Sequence, residues 1–155
     1  MYDLTPAAFQ GLTIQRIRLL YKSILIPVDL GNVENIVSLI DHAAAYRNSD
    51  STITLLNVVE DIPTWAAVEL PRGTLDKSVR SAAEKLKTLA ASSSIEVEVE
   101  VRVGHPYKTI LEVAEEKNAE LIIVASHQPG LQKYFLGSTA AKVVRHATCS
   151  VIVVR

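Results

Sequence analysis

Residues 121–155 read LIIVASHQPGLQKYFLGSTAAKVVRHATCSVIVVR. Leu121 to Ala125 is a short apolar run of the kind buried on both faces of a parallel sheet, and a polar loop follows it. Gly137-Ser138 then opens a helix whose Ala140, Val143, Val144 and Ala147 fall inward, and Ser150 to Val154 is a last apolar strand. Two strands joined by a crossover helix predict parallel pairing with a right-handed connection.

The same unit recurs upstream. Tyr21 to Val28 predicts a first strand, Gly31-Asn32 a break, and Val33, Ile36, Leu39, Ile40, Ala43 and Ala44 one face of a helix. Ser51 to Val59 predicts a second strand and Thr74 the cap of a second helix, with Leu75, Val79, Ala82, Leu86, Leu89 and Ala90 inward as far as the serines at 92–94. Ile95, Val97, Val99, Val101 and Val103 alternate with Glu96, Glu98, Glu100 and Arg102, the pattern of a strand with one wet face, hence an edge. Gly104-His105-Pro106 turns into a third helix carrying Tyr107, Ile110, Leu111 and Ala114. The expected fold class is α/β: one doubly wound, five-stranded parallel sheet of order 3-2-1-4-5 with helices on both faces. Ligands of such sheets bind beyond the carboxyl ends of the strands where the order reverses, so residues 27–32 should face residues 125–138.

Two segments fall outside the repeat. Residues 1–20 read as an N-terminal extension to a domain spanning 21–155, with Thr5-Pro6 starting a short helix. The stretch from Glu60 to Gly73, with Trp65 between two prolines, is too long and too apolar for a plain connection and reads as a lid or a partner surface.

Composition narrows the function. The 155 residues are 48% hydrophobic, enough for a self-sufficient core, and 16 Lys+Arg against 17 Asp+Glu leave a formal charge of −1. That balance gives no long-range attraction for nucleic acid or anionic lipid. A single cysteine, no leader-like apolar core and no membrane-spanning run predict a cytoplasmic protein.

The Gly137-Ser138-Thr139 helix start is the candidate anion site. A helix N-terminus presents unpaired N–H groups and the positive end of the dipole, small residues admit a phosphate, and Ala141 supplies no acid to a capping box. Lys133 or Arg145 would add charge. The alternative is an ordinary serine cap behind a glycine turn. Neither a Walker lysine loop nor a dinucleotide glycine fingerprint occurs. His146-x-x-Cys149 lacks the second half of a zinc site.

Several motifs taken in order resemble the universal stress protein (UspA-like) family: Ile26-Pro27-Val28-Asp29, Leu55-Leu56-Asn57-Val58, Gly104-His105-Pro106, Ala125-Ser126-His127, Leu136-Gly137-Ser138 and Val144-Arg145-His146-Ala147. The resemblance covers residues 21–155 and implies the adenine nucleotide alpha hydrolase-like fold, with members that usually dimerise and divide into nucleotide binders and non-binders. The family's binding pattern, Gly-x2-Gly-x9-Gly-Ser/Thr, places its first glycine at Ala125, its second at Gln128 and its last pair at Gly137-Ser138, with one residue fewer in the long gap. The chain thus resembles a nucleotide-binding sub-branch with a modified glycine motif, in which Gly130 supplies the flexibility.

Carried over residue by residue, the resemblance implies that Pro27 and Asp29 border adenosine and that Val58 offers its backbone to adenine. Gly104 falls beside the site, Ala125, Ser126 and His127 line the loop, and Gly137, Ser138 and Thr139 hold phosphates. A carboxylate near a triphosphate calls for a cation, so the expected cofactor is ATP with Mg²⁺. Asp29 is alternatively a loop carboxylate or cap, and His127 a solvated turn residue. The uncharged apolar edge from Ser150 to Val154 predicts a homodimer by strand pairing through 150–155. The function expected is an ATP-binding regulatory dimer; the alternatives are a nucleotide-free dimeric scaffold and a slow ATPase, for which no nucleophile and base pair stands out.

Overall fold

In the computed structural model the described residues are 20–61, 73–126 and 136–155. The predicted extension, the apolar stretch around Trp65, and His127, Gly130 and Lys133 lie outside them. The elements are β1 (Tyr21–Pro27), α1 (Glu34–Tyr46), β2 (Arg47–Glu60), α2 (Thr74–Ala91), β3 (Glu98–Gly104), α3 (Pro106–Glu116), β4 (Leu121–Ala125), α4 (Ser138–His146) and β5 (Ser150–Val154). All strand pairings are parallel and the order is β3-β2-β1-β4-β5, the doubly wound sheet expected from the sequence.

Burial explains the order. Ile24, Leu25 and Ile26 of β1 and Leu121, Ile122 and Ile123 of β4 are all 1% exposed or less, as befits central strands covered on both faces. Ile24, Ile26, Ile53, Leu55, Leu121 and Ile123 meet Ile36, Leu39, Ile40 and Ala43 of α1 and Leu86 of α2. The residues in between, Leu25, Leu56, Ile122 and Val124, point the other way and meet α3 and α4. The two-residue strand period thus divides the core into two layers.

Three details differ from the sequence expectation. β2 starts at Arg47 instead of Ser51: Arg47 pairs with Tyr21, and the irregular stretch 48–51 is knitted by the Asn48 and Ser51 side chains, Asn48 Oδ1 accepting from Asp50 N–H and Ser51 Oγ donating to the Tyr21 carbonyl. Thr74 is the first residue of α2, not its cap; Gly73 holds that place in the left-handed region (φ 82°) that only glycine adopts at little cost.

The third concerns the wet face of β3. Glu100 is half-buried and paired with Arg102 and with Lys117, which follows α3; Arg102 also meets Glu116, and Lys117 also meets Glu98. Burial alone raises the Glu100 pKa, but the hydrogen bonds from Arg102 and Lys117 outweigh it and hold the group below the usual carboxylate range. Strand periodicity could not show this network, since its lysine and second glutamate come from the far end of a helix.

Candidate functional site

At the reversal between β1 and β4 a cleft of about 710 Å³ opens beyond the carboxyl ends of the strands, within the range of small-molecule sites. Pro27, Val28 and Asp29 come to it from β1 and its loop, Val58 from β2, Ala125 and Ser126 from the end of β4, and Gly137, Ser138 and Thr139 from the start of α4. Segments a hundred residues apart in the chain therefore meet around one space, as the topology predicted.

One wall is the loop after β1. The carboxylate of the exposed Asp29 accepts from Gly31 N–H at 2.8 Å and from the Asn32 side-chain amide at 3.1 Å, while its carbonyl accepts from Asn32 N–H at 3.0 Å. Asp29 thus folds its own loop as an Asx-type turn while lining the cleft; two of its roughly four acceptor directions remain open.

The second wall is a bare stretch of β2. The β1–β2 ladder ends at Pro27–Leu56, followed by Val28 N–H donating to the Leu56 carbonyl at 2.8 Å, whereas β2–β3 pairing runs on to Glu60–Gly104. Val58 shares the orientation of Leu56, so its N–H and C=O point toward the cleft side. Among the described residues nothing there pairs with them.

The third wall is the start of α4. Ser126 N–H donates to the Val154 carbonyl at 2.7 Å, and the Ser126 carbonyl accepts from Gly137 N–H at 2.9 Å. The Gly137 donor, counted toward anion binding on sequence grounds, is therefore occupied. Ser138, Thr139 and Ala140 supply N–H groups that are open among the described residues, where no side chain caps the helix and no acid stands in its first turn. Gly137 is extended (φ −55°, ψ 149°), so its lack of a side chain matters for access, not for backbone conformation.

Two expected residues fall elsewhere. Gly104 does not line the cleft: at φ +155° it makes the bend into α3, where a Cβ would collide with Thr109. Arg145 lies in the last turn of α4, away from the helix start; the nearer cation is Lys142, whose ammonium stands 4.8 Å from the Tyr107 ring centroid. Asn32 lines the cleft, as the facing of residues 27–32 implied, and Asn57 and Glu60 line it without having been given a place in the site. The signals for Asn57 were its place in the Leu55-Leu56-Asn57-Val58 motif and an amide interrupting the largely apolar run 53–59. Among the described residues no group of three or more His, Cys, Asp or Glu is placed to hold a metal, and no helix is long and apolar enough to cross a membrane.

Comparison with known proteins matches residues 20–155 to the universal stress protein family. Universal stress protein G of Salmonella typhimurium is 34% identical over 145 residues, covering 88% of this chain and all of its own. Hypothetical protein MJ0577 superposes with a TM-score of 0.72 at 25% identity, covering 87% of this chain and 96% of its own. UspA from Lactobacillus plantarum gives 0.67 at 26%, covering 88% and 99%. Two universal stress proteins, one solved with cAMP and one from Archaeoglobus fulgidus with dAMP, share the fold at 21% and 17% identity, each with a TM-score of 0.54, covering 88% of this chain and 98% and 99% of their own.

Proposed function

The chain belongs to the universal stress protein family, and from that premise we propose that it is a cytoplasmic regulatory protein that binds ATP with Mg²⁺ in the cleft between β1 and β4 and acts as a homodimer. The observation that carries the reading is the uncapped start of α4, whose open Ser138, Thr139 and Ala140 N–H groups border the cleft. Phosphates lie against those donors and the hydroxyls of Ser138 and Thr139. The bare backbone of Val58 offers one donor and one acceptor to the base. Asp29 faces the ribose and, through Mg²⁺, tolerates the triphosphate. The complexes with cAMP and dAMP in relatives of the same fold support an adenine nucleotide as the ligand class. The apolar, unpaired edge of β5 supports pairing with a second copy.

Catalysis by a thiolate nucleophile is disfavoured. Cys149 is half-buried and burial pushes its thiol pKa up, away from a reactive thiolate. The test is thermal melting of the purified protein with and without Mg-ATP, together with chromatography of nucleotide released by heat. A raised melting temperature or co-purified adenine nucleotide is expected. The absence of both supports the second reading, a nucleotide-free dimeric scaffold, which Ala125 and Gln128 in place of the family's glycines favour.

A further inference from the structure

Asn57 is 9% exposed, sits near the end of β2 and lines the cleft. Its Nδ2 donates to the Val28 carbonyl at 3.0 Å. That bond fixes the amide's orientation, because the flipped arrangement would set two acceptors against each other. The side-chain carbonyl Oδ1 has no hydrogen-bond partner among the described residues, yet no fully buried side-chain oxygen or nitrogen among them is left unpaired. Oδ1 is therefore not fully enclosed by the described residues, and Asn57 borders both this cleft and the hollow between β2 and α2. A nine-tenths buried amide with one end tied and its acceptor without a partner among the described residues suits a ligand that brings a donor.

The neighbourhood specifies that donor. The β1–β2 side of the cleft is rich in acceptors, with the carboxylates of Asp29 and Glu60 beside Asn57, whereas the donors are gathered at the start of α4. A nucleotide whose phosphates lie at α4 brings its base toward β2, next to the bare Val58 backbone. A 6-amino purine offers two N–H groups at its exocyclic nitrogen, one for a backbone carbonyl and one for a second acceptor. A 6-oxo purine would set an oxygen against the Asn57 carbonyl.

We propose that the side-chain carbonyl of Asn57 accepts a hydrogen bond from the exocyclic 6-amino group of adenine and so selects adenine over guanine nucleotides in this cleft. The inference rests on the nucleotide reading above and assigns base choice to one side chain.

The experiment is a binding cycle measured by calorimetry in Mg²⁺ buffer. Wild type and Asn57→Ala are each titrated with ATP, with purine riboside triphosphate, which lacks the 6-amino group, and with GTP. In wild type, removing the amino group weakens binding on the order of tenfold, and GTP binds weaker still. In Asn57→Ala the advantage of ATP over the purine riboside triphosphate narrows to about threefold, what the remaining bond to the Val58 carbonyl supplies. A residue serving only to clip the Val28 loop would lower all three affinities together and leave their ratios as in wild type, which overturns the proposal. Asn57→Asp keeps an acceptor but lacks the N–H₂ for Val28; it retains the preference for ATP over GTP at lower overall affinity, and equal binding of the two by this variant also counts against the proposal. Should wild type bind none of the three, the nucleotide reading fails and this inference with it; binding without base preference overturns only the inference.

Discussion

Thr109 fills the space that a side chain at position 104 would need: a Cβ on Gly104 would lie 2.5 Å from Thr109 Oγ1, and the φ of +155° is itself costly for any other residue. Two independent penalties thus meet at the bend from β3 into α3. Gly104→Ala should destabilise the fold by about 2 kcal/mol, a fall in melting temperature of roughly 4–8 °C for a chain of this size. Adding Thr109→Ala should restore only the steric part. Thermal melts of the single and double variants check this, and full recovery would mean that the backbone conformation carries no penalty.

Gly137 behaves oppositely. A Cβ there would lie an ordinary 3.6 Å from the Ser126 carbonyl, so Gly137→Ala should fold with a loss of under about 1 kcal/mol. The larger Gly137→Val should abolish the Mg-ATP-induced rise in melting temperature by closing the approach to the α4 donors. An undiminished rise in the valine variant places the phosphates elsewhere.

The outward face of β5 can be assigned from its inward bonds. The Val154 carbonyl and Ser150 N–H both point to the β4 side, so the N–H groups of Val151 and Val153, at alternate positions, point away from the sheet. Val153→Pro removes an outward donor without breaking the ladder to β4. Light scattering should show a dimer for wild type and a monomer for this variant; a variant that remains dimeric uses another surface.

Acid should loosen the β3–α3 network. Because the folded-state pKa of Glu100 is depressed, its contribution to stability is present above the ordinary glutamate value of about 4.3 and is lost as pH falls through the lower folded value. The partners are partly solvated, so the effect is modest, under about 1 kcal/mol. Chemical denaturation of wild type and Glu100→Gln from pH 7 to 3 should show the curves converging at low pH.

Removing Mg²⁺ with a chelator should weaken ATP binding more than AMP binding, since the Asp29 carboxylate opposes the triphosphate most when no cation intervenes. Equal losses for the two nucleotides would separate Asp29 from the phosphate chain.

The strand order was legible because its evidence lies within single segments: continuous apolar runs at 24–26 and 121–124 mark the centre, and strict alternation after Ile95 marks an edge. The placement of the cleft followed from the order. What stayed hidden depends on pairs distant in sequence or on hydrogen-bond geometry. Glu100 meets Lys117 only through the β3–α3 turn, the Gly137 donor is occupied by a carbonyl eleven residues earlier, and Asn57 looks like an interruption of a strand until Val28 is seen beside it. Ile95 and Val97 kept the period and pack on the core, yet precede the ladder, which begins at Glu98.

Ser126 has one further consequence. Its N–H is held by the last strand and its carbonyl by the start of the last helix, so this one residue is a direct link between the lip of the cleft and the outer margin of the sheet. The link consists of two backbone hydrogen bonds and involves no side chain. The rim of the cleft and the free side of β5 are thereby coupled through the backbone of one residue.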